Sequence, residues 1–169
     1  MQFETNRLIL RPRRMDDFDA CLAMDKAPGV LDFIRGPWDD EDAHRTFIAA
    51  RIKQDYGKGL GYWSIFTKHN PDHFMGWMLL IPEDAVGPDI EIGWRLHPDH
   101  HGKGIGFEAG CAIVDHAFAN VGLDRIVARI DRRNLASCRL AEKLGMRARN
   151  QDDGDVFYEL THAEYRAKR

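Results

Sequence analysis

The 169-residue sequence predicts one α+β domain with a mixed, mostly antiparallel sheet, and three observations carry that reading. Strand-like and helix-like stretches follow one another along the whole chain without a repeat, a low-complexity segment or a linker, so residues 1–169 form a single unit. Phe74–Ile81 is almost continuously apolar, as a central strand covered on both faces must be. Asp89–Leu96 alternates cleanly, with Ile90, Ile92, Trp94 and Leu96 on one face and Asp89, Glu91, Gly93 and Arg95 on the other.

The elements follow in order. Leu8 and Leu10 alternate with Arg7, Ile9 and Arg11, so residues 6–13 form a first strand. Asp16 and Asp17 open a helix that Pro28-Gly29 stops. A short helical piece at Val30–Ile34 ends before Gly36-Pro37. Asp39–Glu41 offers caps for a longer helix to about Tyr56, with Ala43, Phe47, Ala50 and Ile52 at roughly helical spacing. Tyr62–Thr67 is the second strand, Phe74–Ile81 the third and Asp89–Leu96 the fourth. A glycine-rich loop feeds a helix through about Val121, with Phe107, Cys111, Val114 and Phe118 on one stripe and Gly122 as C-cap. Arg125–Asp131 is the fifth strand. Asn134 begins a helix of about ten residues that Gly145 closes. Met146–Arg149 and Val156–Leu160 make a final hairpin around Asp152-Asp153-Gly154, and the tail beyond reads as short and polar.

Bulk properties exclude several classes. A hydrophobic share of 44% and a charged share of 30% are those of a globular domain rather than a disordered one. The net charge of −3 argues against a general nucleic-acid binder. No apolar run approaches the ~18 residues of a membrane span, and the first residues lack the apolar core of a signal peptide. Cys21, Cys111 and Cys138 are far apart and unpaired in spacing, which suits free thiols in a reducing compartment. The expectation is a cytoplasmic protein without membrane or nucleic-acid partners.

The chain is organised around His101-Gly-Lys-Gly-Ile-Gly106. Glycine lets backbone N–H groups approach a ligand without a Cβ in the way. The helix that follows turns unpaired N–H groups and a partial positive charge toward the same spot. Together these make a seat for a phosphate or pyrophosphate. A P-loop needs Ser or Thr after its lysine, whereas Lys103 is followed by Gly104. A dinucleotide fingerprint should follow a first strand, not a fourth.

A second motif, Asn134-Leu-Ala-Ser137-Cys-Arg-Leu-Ala-Glu-Lys-Leu-Gly145, gives the loop its context. With it, the chain resembles the GNAT superfamily of N-acetyltransferases, in particular the branch similar to ribosomal-protein alanine N-acetyltransferases. Arg7-Leu-Ile-Leu-Arg11 resembles that family's opening strand, and Glu91-Ile-Gly-Trp with Leu96-His-Pro its fourth. His101–Gly106 with Glu108-Ala109 resembles its acetyl-CoA pyrophosphate loop. The loop departs from the usual pattern by beginning with His101. The resemblance implies a GNAT-like α+β fold of about seven strands and about four helices, with a splayed gap between the fourth and fifth strands that takes the pantetheine arm. It implies that Trp94, Arg95 and Leu96 bind pantetheine through their backbone. His101, Gly102, Lys103, Gly104, Ile105 and Gly106 would cradle the pyrophosphate. It also admits a homodimer, although no interface is written in the sequence.

Three residues carry the candidate chemistry. Asn134 is a favoured helix N-cap, a role compatible with contacting the cofactor. Ser137 lies on the inward stripe Ser137, Leu140, Ala141 and Leu144; its hydroxyl either bonds to backbone or, as the resemblance implies, stands near the CoA sulfur to stabilise a departing thiolate. Glu91 either pairs with Arg95 or Arg129 or acts as general base for the incoming amine. His97, His100 and His101 lack the carboxylate and thiolate spacing of a metal site. The expected activity is acetyl-CoA-dependent transfer of an acetyl group to a primary amine, on a protein N-terminus or a small molecule. The alternative is an acyl-CoA-binding module without catalysis.

Overall fold

The computed structural model describes residues 1–152 and 154–168. Among these the sheet has eight strands, ordered β1-β2-β3-β4-β5-β6-β8-β7. They are β1 (Phe3–Glu4), β2 (Leu8–Pro12), β3 (Gly61–Thr67), β4 (Gly76–Pro82), β5 (Ile90–Leu96), β6 (Arg125–Asp131), β7 (Arg147–Gln151) and β8 (Asp155–Thr161). All neighbours are antiparallel except β5 and β6, which run parallel. The helices are α1 (Phe18–Asp25), α2 (Glu41–Lys53), α3 (Ile105–Asp115), α4 (Leu135–Lys143) and α5 (His162–Ala167). A π-helical stretch, His116–Val121, prolongs α3.

The apolar run of β4 is explained by two cores, one on each face of the sheet. Met78 and Leu80 pack with Leu8, Leu10, Ile92 and the inner side of α3. Trp77, Leu79 and Ile81 pack with Cys21, Leu22, Met24 and Ile48 from α1 and α2. Met78 and Leu80 are fully enclosed, and burying each such side chain contributes roughly 1.5–3 kcal/mol. The β5 alternation follows the same division: Ile92 enters the first core, with Ile90, Trp94 and Leu96 packed against it.

Some expected elements differ. Residues 30–33 form turns, not a helical piece, and α2 ends at Lys53. On α2 the buried positions are His44 and Ile48, while Ala50 is exposed, because His44 is held by a carboxylate across the interface. On α3 the expected stripe holds at Val114 and Phe118, which are buried, and fails at Phe107, which is 42% exposed; Ile105, Ala109 and Ile113 also face inward. Small residues set this helix close to its neighbours. A Cβ on Gly106 would stand 2.9 Å from Leu140, and one on Gly110 2.8 Å from Leu144. The tail forms α5, opened by a capping box in which Thr161 and Glu164 satisfy each other's backbone N–H groups. The two-residue β1 is too short for periodicity to reveal. No helix among the described residues is long and apolar enough to cross a membrane.

Candidate active site

The sheet opens between β5 and β6. β4 and β5 stay in register from Gly76–Leu96 to Pro82–Ile90, whereas β5 and β6 register at Glu91–Val127. Past that pair the two strands part toward the C-terminal end of β5. The His97 amide donates to the Met75 carbonyl at 2.9 Å, toward β4. A trans peptide sets the preceding carbonyl the opposite way, so the Leu96 carbonyl faces the gap. There it accepts from the His101 ring at 3.0 Å. Backbone direction alternates along a strand, so Trp94 shares the gap side and the Arg95 backbone turns to β4.

At the mouth of the gap lies the glycine loop. Gly102 has φ 69° and Gly104 φ 75°, a left-handed conformation that costs an L-residue roughly 1–2 kcal/mol. Gly104 is the N-cap of α3 and no side chain caps the helix, so its first-turn N–H groups are available to a ligand. The loop is braced from the other end of the chain. Arg7 donates from Nη1 to the Lys103 carbonyl at 3.1 Å and from Nε to Glu108 at 2.6 Å. Glu108 also accepts from the Arg7 amide at 2.8 Å and the Thr5 hydroxyl at 2.5 Å. Partial burial opposes ionisation of Glu108, but these donors outweigh it and hold its carboxyl below the ordinary value.

Ser137 sits in the first turn of α4. Its amide donates to the Asn134 side chain at 3.2 Å, and its hydroxyl accepts from the Trp94 indole at 3.2 Å. Because the indole occupies an acceptor position on Oγ, the hydroxyl hydrogen is free to point elsewhere. Glu91, on the opposite face of β5 from Trp94, lines the same cavity as Ser137. Arg95 instead donates to Asp25 at 2.7 Å, and Arg129 lies 3.6 Å from both Glu83 and Asp152. Glu91 therefore makes neither of the ion pairs that its sequence position suggested. Burial, reinforced by Glu83 and Asp84, pushes its carboxyl up to about 7 against the pull of Arg51 and Arg129. A carboxyl poised there can take up a proton near neutral pH.

A cavity of about 620 Å³ brings Glu91, Trp94, Arg95, Asn134 and Ser137 together between the sheet, α2 and the 30–38 segment. The loop 101–106 lies outside its lining. His97, His100 and His101 do not converge on a metal site: among the described residues no group of three or more metal-ligating side chains is present. Sequence reasoning missed the cavity's other wall. Asp25, buried on α1, receives Arg95 and the His44 ring, the latter at 2.9 Å. Trp38 packs edge-on against His44, and Arg13 and Arg51 reach the same space. The dense Arg11-Pro-Arg-Arg14 run was the one available signal, and it reads equally as a solvated edge.

The family model for the acetyltransferase (GNAT) domain matches residues 7–147. The chain belongs to the GNAT acetyltransferase family. Among curated relatives of this acetyltransferase, the uncharacterized N-acetyltransferase YjdG of Bacillus subtilis is 32% identical over 84% of the chain and 87% of its own length. YnaD of the same organism is 27% identical over 87% and 83%. Among solved structures, a putative GNAT-family acetyltransferase from Bordetella pertussis is 28% identical, with TM-score 0.75 over 94% of this chain and 98% of that one. A spermidine N-acetyltransferase from Vibrio cholerae, solved with CoA and spermine, shares the fold at TM-score 0.74 and 15% identity, covering 94% of this chain and 97% of that one.

Proposed function

We propose that this acetyltransferase uses acetyl-CoA as donor and acetylates a primary amine directly, with Glu91 as general base and Ser137 as hydrogen-bond donor to the leaving thiolate. The reading rests above all on Glu91, a carboxyl that burial raises to about 7 and that the neighbouring arginines leave without an ion pair.

The residues present fit CoA. The left-handed glycines and the uncapped start of α3 supply the backbone donors that a pyrophosphate requires. Gly102, Lys103, Gly104, Ile105 and Gly106 would hold it, and His101 would turn from the Leu96 carbonyl as the pantetheine arm enters. Trp94 and Leu96 offer that arm their backbone, while Arg95 acts through its side chain on the acceptor side. Asn134 fixes the first turn of α4 and so the Ser137 hydroxyl.

Bound acetyl-CoA supplies the thioester carbonyl that the amine attacks. Glu91 accepts the ammonium proton through water, and Ser137 gives a hydrogen bond to the sulfur as the thiol departs. The base is matched to an acidic amine. Deprotonating an α-amine of pKa ~8 at pH 7 costs roughly 1 kcal/mol, and a lysine of pKa ~10.4 roughly 4.6 kcal/mol. An α-amine of a small molecule or a protein N-terminus is therefore the acceptor. The buried thiols of Cys21 and Cys138 fit a reducing, cytoplasmic setting.

The test is acetyl-CoA turnover over a panel of α-amines and lysine ε-amines, read by thiol release. Acetylation of α-amines with a limb near pH 7 supports the reading. Tight acetyl-CoA binding with no turnover on any amine would instead favour a non-catalytic acyl-CoA-binding module.

A further inference from the structure

Two arginines of the acceptor cavity find no ion-pair partner among its carboxylates. Arg13, Arg51 and Arg95 all line it. Arg95 is answered by Asp25, whose other oxygen is taken by His44. Asp17, the next buried carboxylate, is committed to Arg11 in a two-pronged pair at 2.9 and 2.7 Å. Arg13 and Arg51 make no ion pair among the described residues. Their guanidinium groups lie on aromatic faces instead, Arg13 at 3.6 Å from the Tyr62 ring centre and Arg51 at 5.1 Å from Phe47. Burial pushes the Cys21 thiol up to about 11 and the Tyr62 hydroxyl up to about 12, so neither adjacent group contributes negative charge at neutral pH.

The hydrogen-bond inventory points the same way. Nε and Nη2 of Arg13, Nη1 of Arg51 and Nε of Arg95 are buried without an acceptor. Guanidinium donors of this kind rarely stay unmatched in a folded protein, and their fork geometry suits a carboxylate. Arg13 lies over Tyr62, Arg95 over Trp77 and Arg51 over Phe47, on the cavity wall built by β3, β4 and α2. Glu91, with Glu83 and Asp84, lines the same cavity from β5 and the turn before it. Tyr62 on β3 is level with Gly93 on β5, so Glu91 stands two strand spacings across and two residues along from it, about 12 Å.

From this polarity, and resting on the acetyl-transfer reading above, we infer that the acceptor is an anionic amine: its primary amine lies toward Glu91 and a carboxylate several bonds away lies between Arg13 and Arg51. A short peptide with a free C-terminal carboxylate has this form, since ~3.3–3.6 Å per extended residue spans the distance in about three residues. A polyamine, cationic at every nitrogen, would meet the guanidinium groups unfavourably.

The experiment compares matched carboxylate and C-terminal amide acceptors, from alanine to trialanine, with spermidine as the cationic control. Thiol release from acetyl-CoA gives kcat/KM, and calorimetry in saturating CoA gives acceptor affinity. The best carboxylate acceptor should exceed its amide by at least about tenfold, chiefly through KM. In Arg13→Gln and in Arg51→Gln, each checked for intact melting, that advantage should collapse toward the amide's value. Equal use of carboxylate and amide, preference for spermidine, or a preference that survives both substitutions overturns the inference. If no amine is acetylated, the catalytic reading fails, and calorimetry still decides this one: carboxylate-selective binding lost in Arg51→Gln sustains it, and unselective or absent binding overturns it.

Discussion

Replacing Glu91 by glutamine separates the burial of this group from its chemistry. The side chain keeps its shape and loses its titration. In the wild type the folded-state carboxyl lies at about 7, raised from an ordinary 4.5, chiefly by burial. The folded protein therefore holds this proton more tightly than the unfolded chain does. The stabilising contribution of the neutral carboxyl is complete below pH ~4.5 and is lost as pH rises through about 7. At about 1.36 kcal/mol per unit, the difference reaches roughly 3 kcal/mol at alkaline pH. Glu91→Gln should match the wild type in stability near pH 4.5 and exceed it by up to about 3 kcal/mol at pH 9. For a domain of this size that is a melting shift of roughly 6–12 °C.

Two assays read the substitution. Chemical denaturation from pH 4.5 to 9 gives the stability difference, which must grow with pH. The kcat/KM profile for an α-amine acceptor gives the catalytic role, since its acid limb reports groups of the free enzyme. Wild type should lose rate below about pH 7, and Glu91→Gln should lose both that limb and most of its turnover. A stability difference that is flat with pH would mean that Glu91 is charged and solvated in the fold. Retention of the rate and the limb together would remove Glu91 from the chemistry altogether.

The remaining predictions concern the donor side. Ser137→Ala should lower kcat by about tenfold to a hundredfold while changing acetyl-CoA affinity little; equal losses in both would mean that the hydroxyl serves to hold Trp94 and the helix rather than the leaving sulfur. Gly104→Val places a branched side chain at φ 75°, with its Cβ 3.4 Å from Arg7. Calorimetry should show CoA binding weakened by more than about tenfold, as expected when charge-assisted backbone hydrogen bonds are lost, and unchanged affinity would exclude the loop as the pyrophosphate seat.

What the sequence disclosed is what local chemistry encodes. The glycine loop is legible because glycine adopts without a Cβ penalty the left-handed turns found at positions 102 and 104. Asn134 is legible because a cap acts three residues ahead of itself, here on the Ser137 amide. The strand pattern is legible because each face of β4 meets a separate core. The cap of α5 was equally local, in Thr161 and Glu164, but a polar tail gives no apolar periodicity to set beside it. The first turns of α3 misled at Phe107 because small residues, Gly106 and Gly110, face its neighbours where helices approach closely.

The acceptor side was not legible for a different reason. Nothing near Arg95 in the chain says that its partner is Asp25, which is 70 residues distant. Once Asp25 takes Arg95, and Glu83 and Asp152 draw Arg129, neither cation that the sequence position of Glu91 suggested pairs with it, and the pull of Arg51 and Arg129 does not offset its burial. The same allocation leaves Arg13 and Arg51 without a carboxylate. The buried carboxyl of Glu91 and the unpaired guanidinium groups of Arg13 and Arg51 thus line one cavity as the result of one distribution of ion pairs. Asp25 of α1 holds Arg95 of β5 across that cavity, a pairing that no local sequence pattern links.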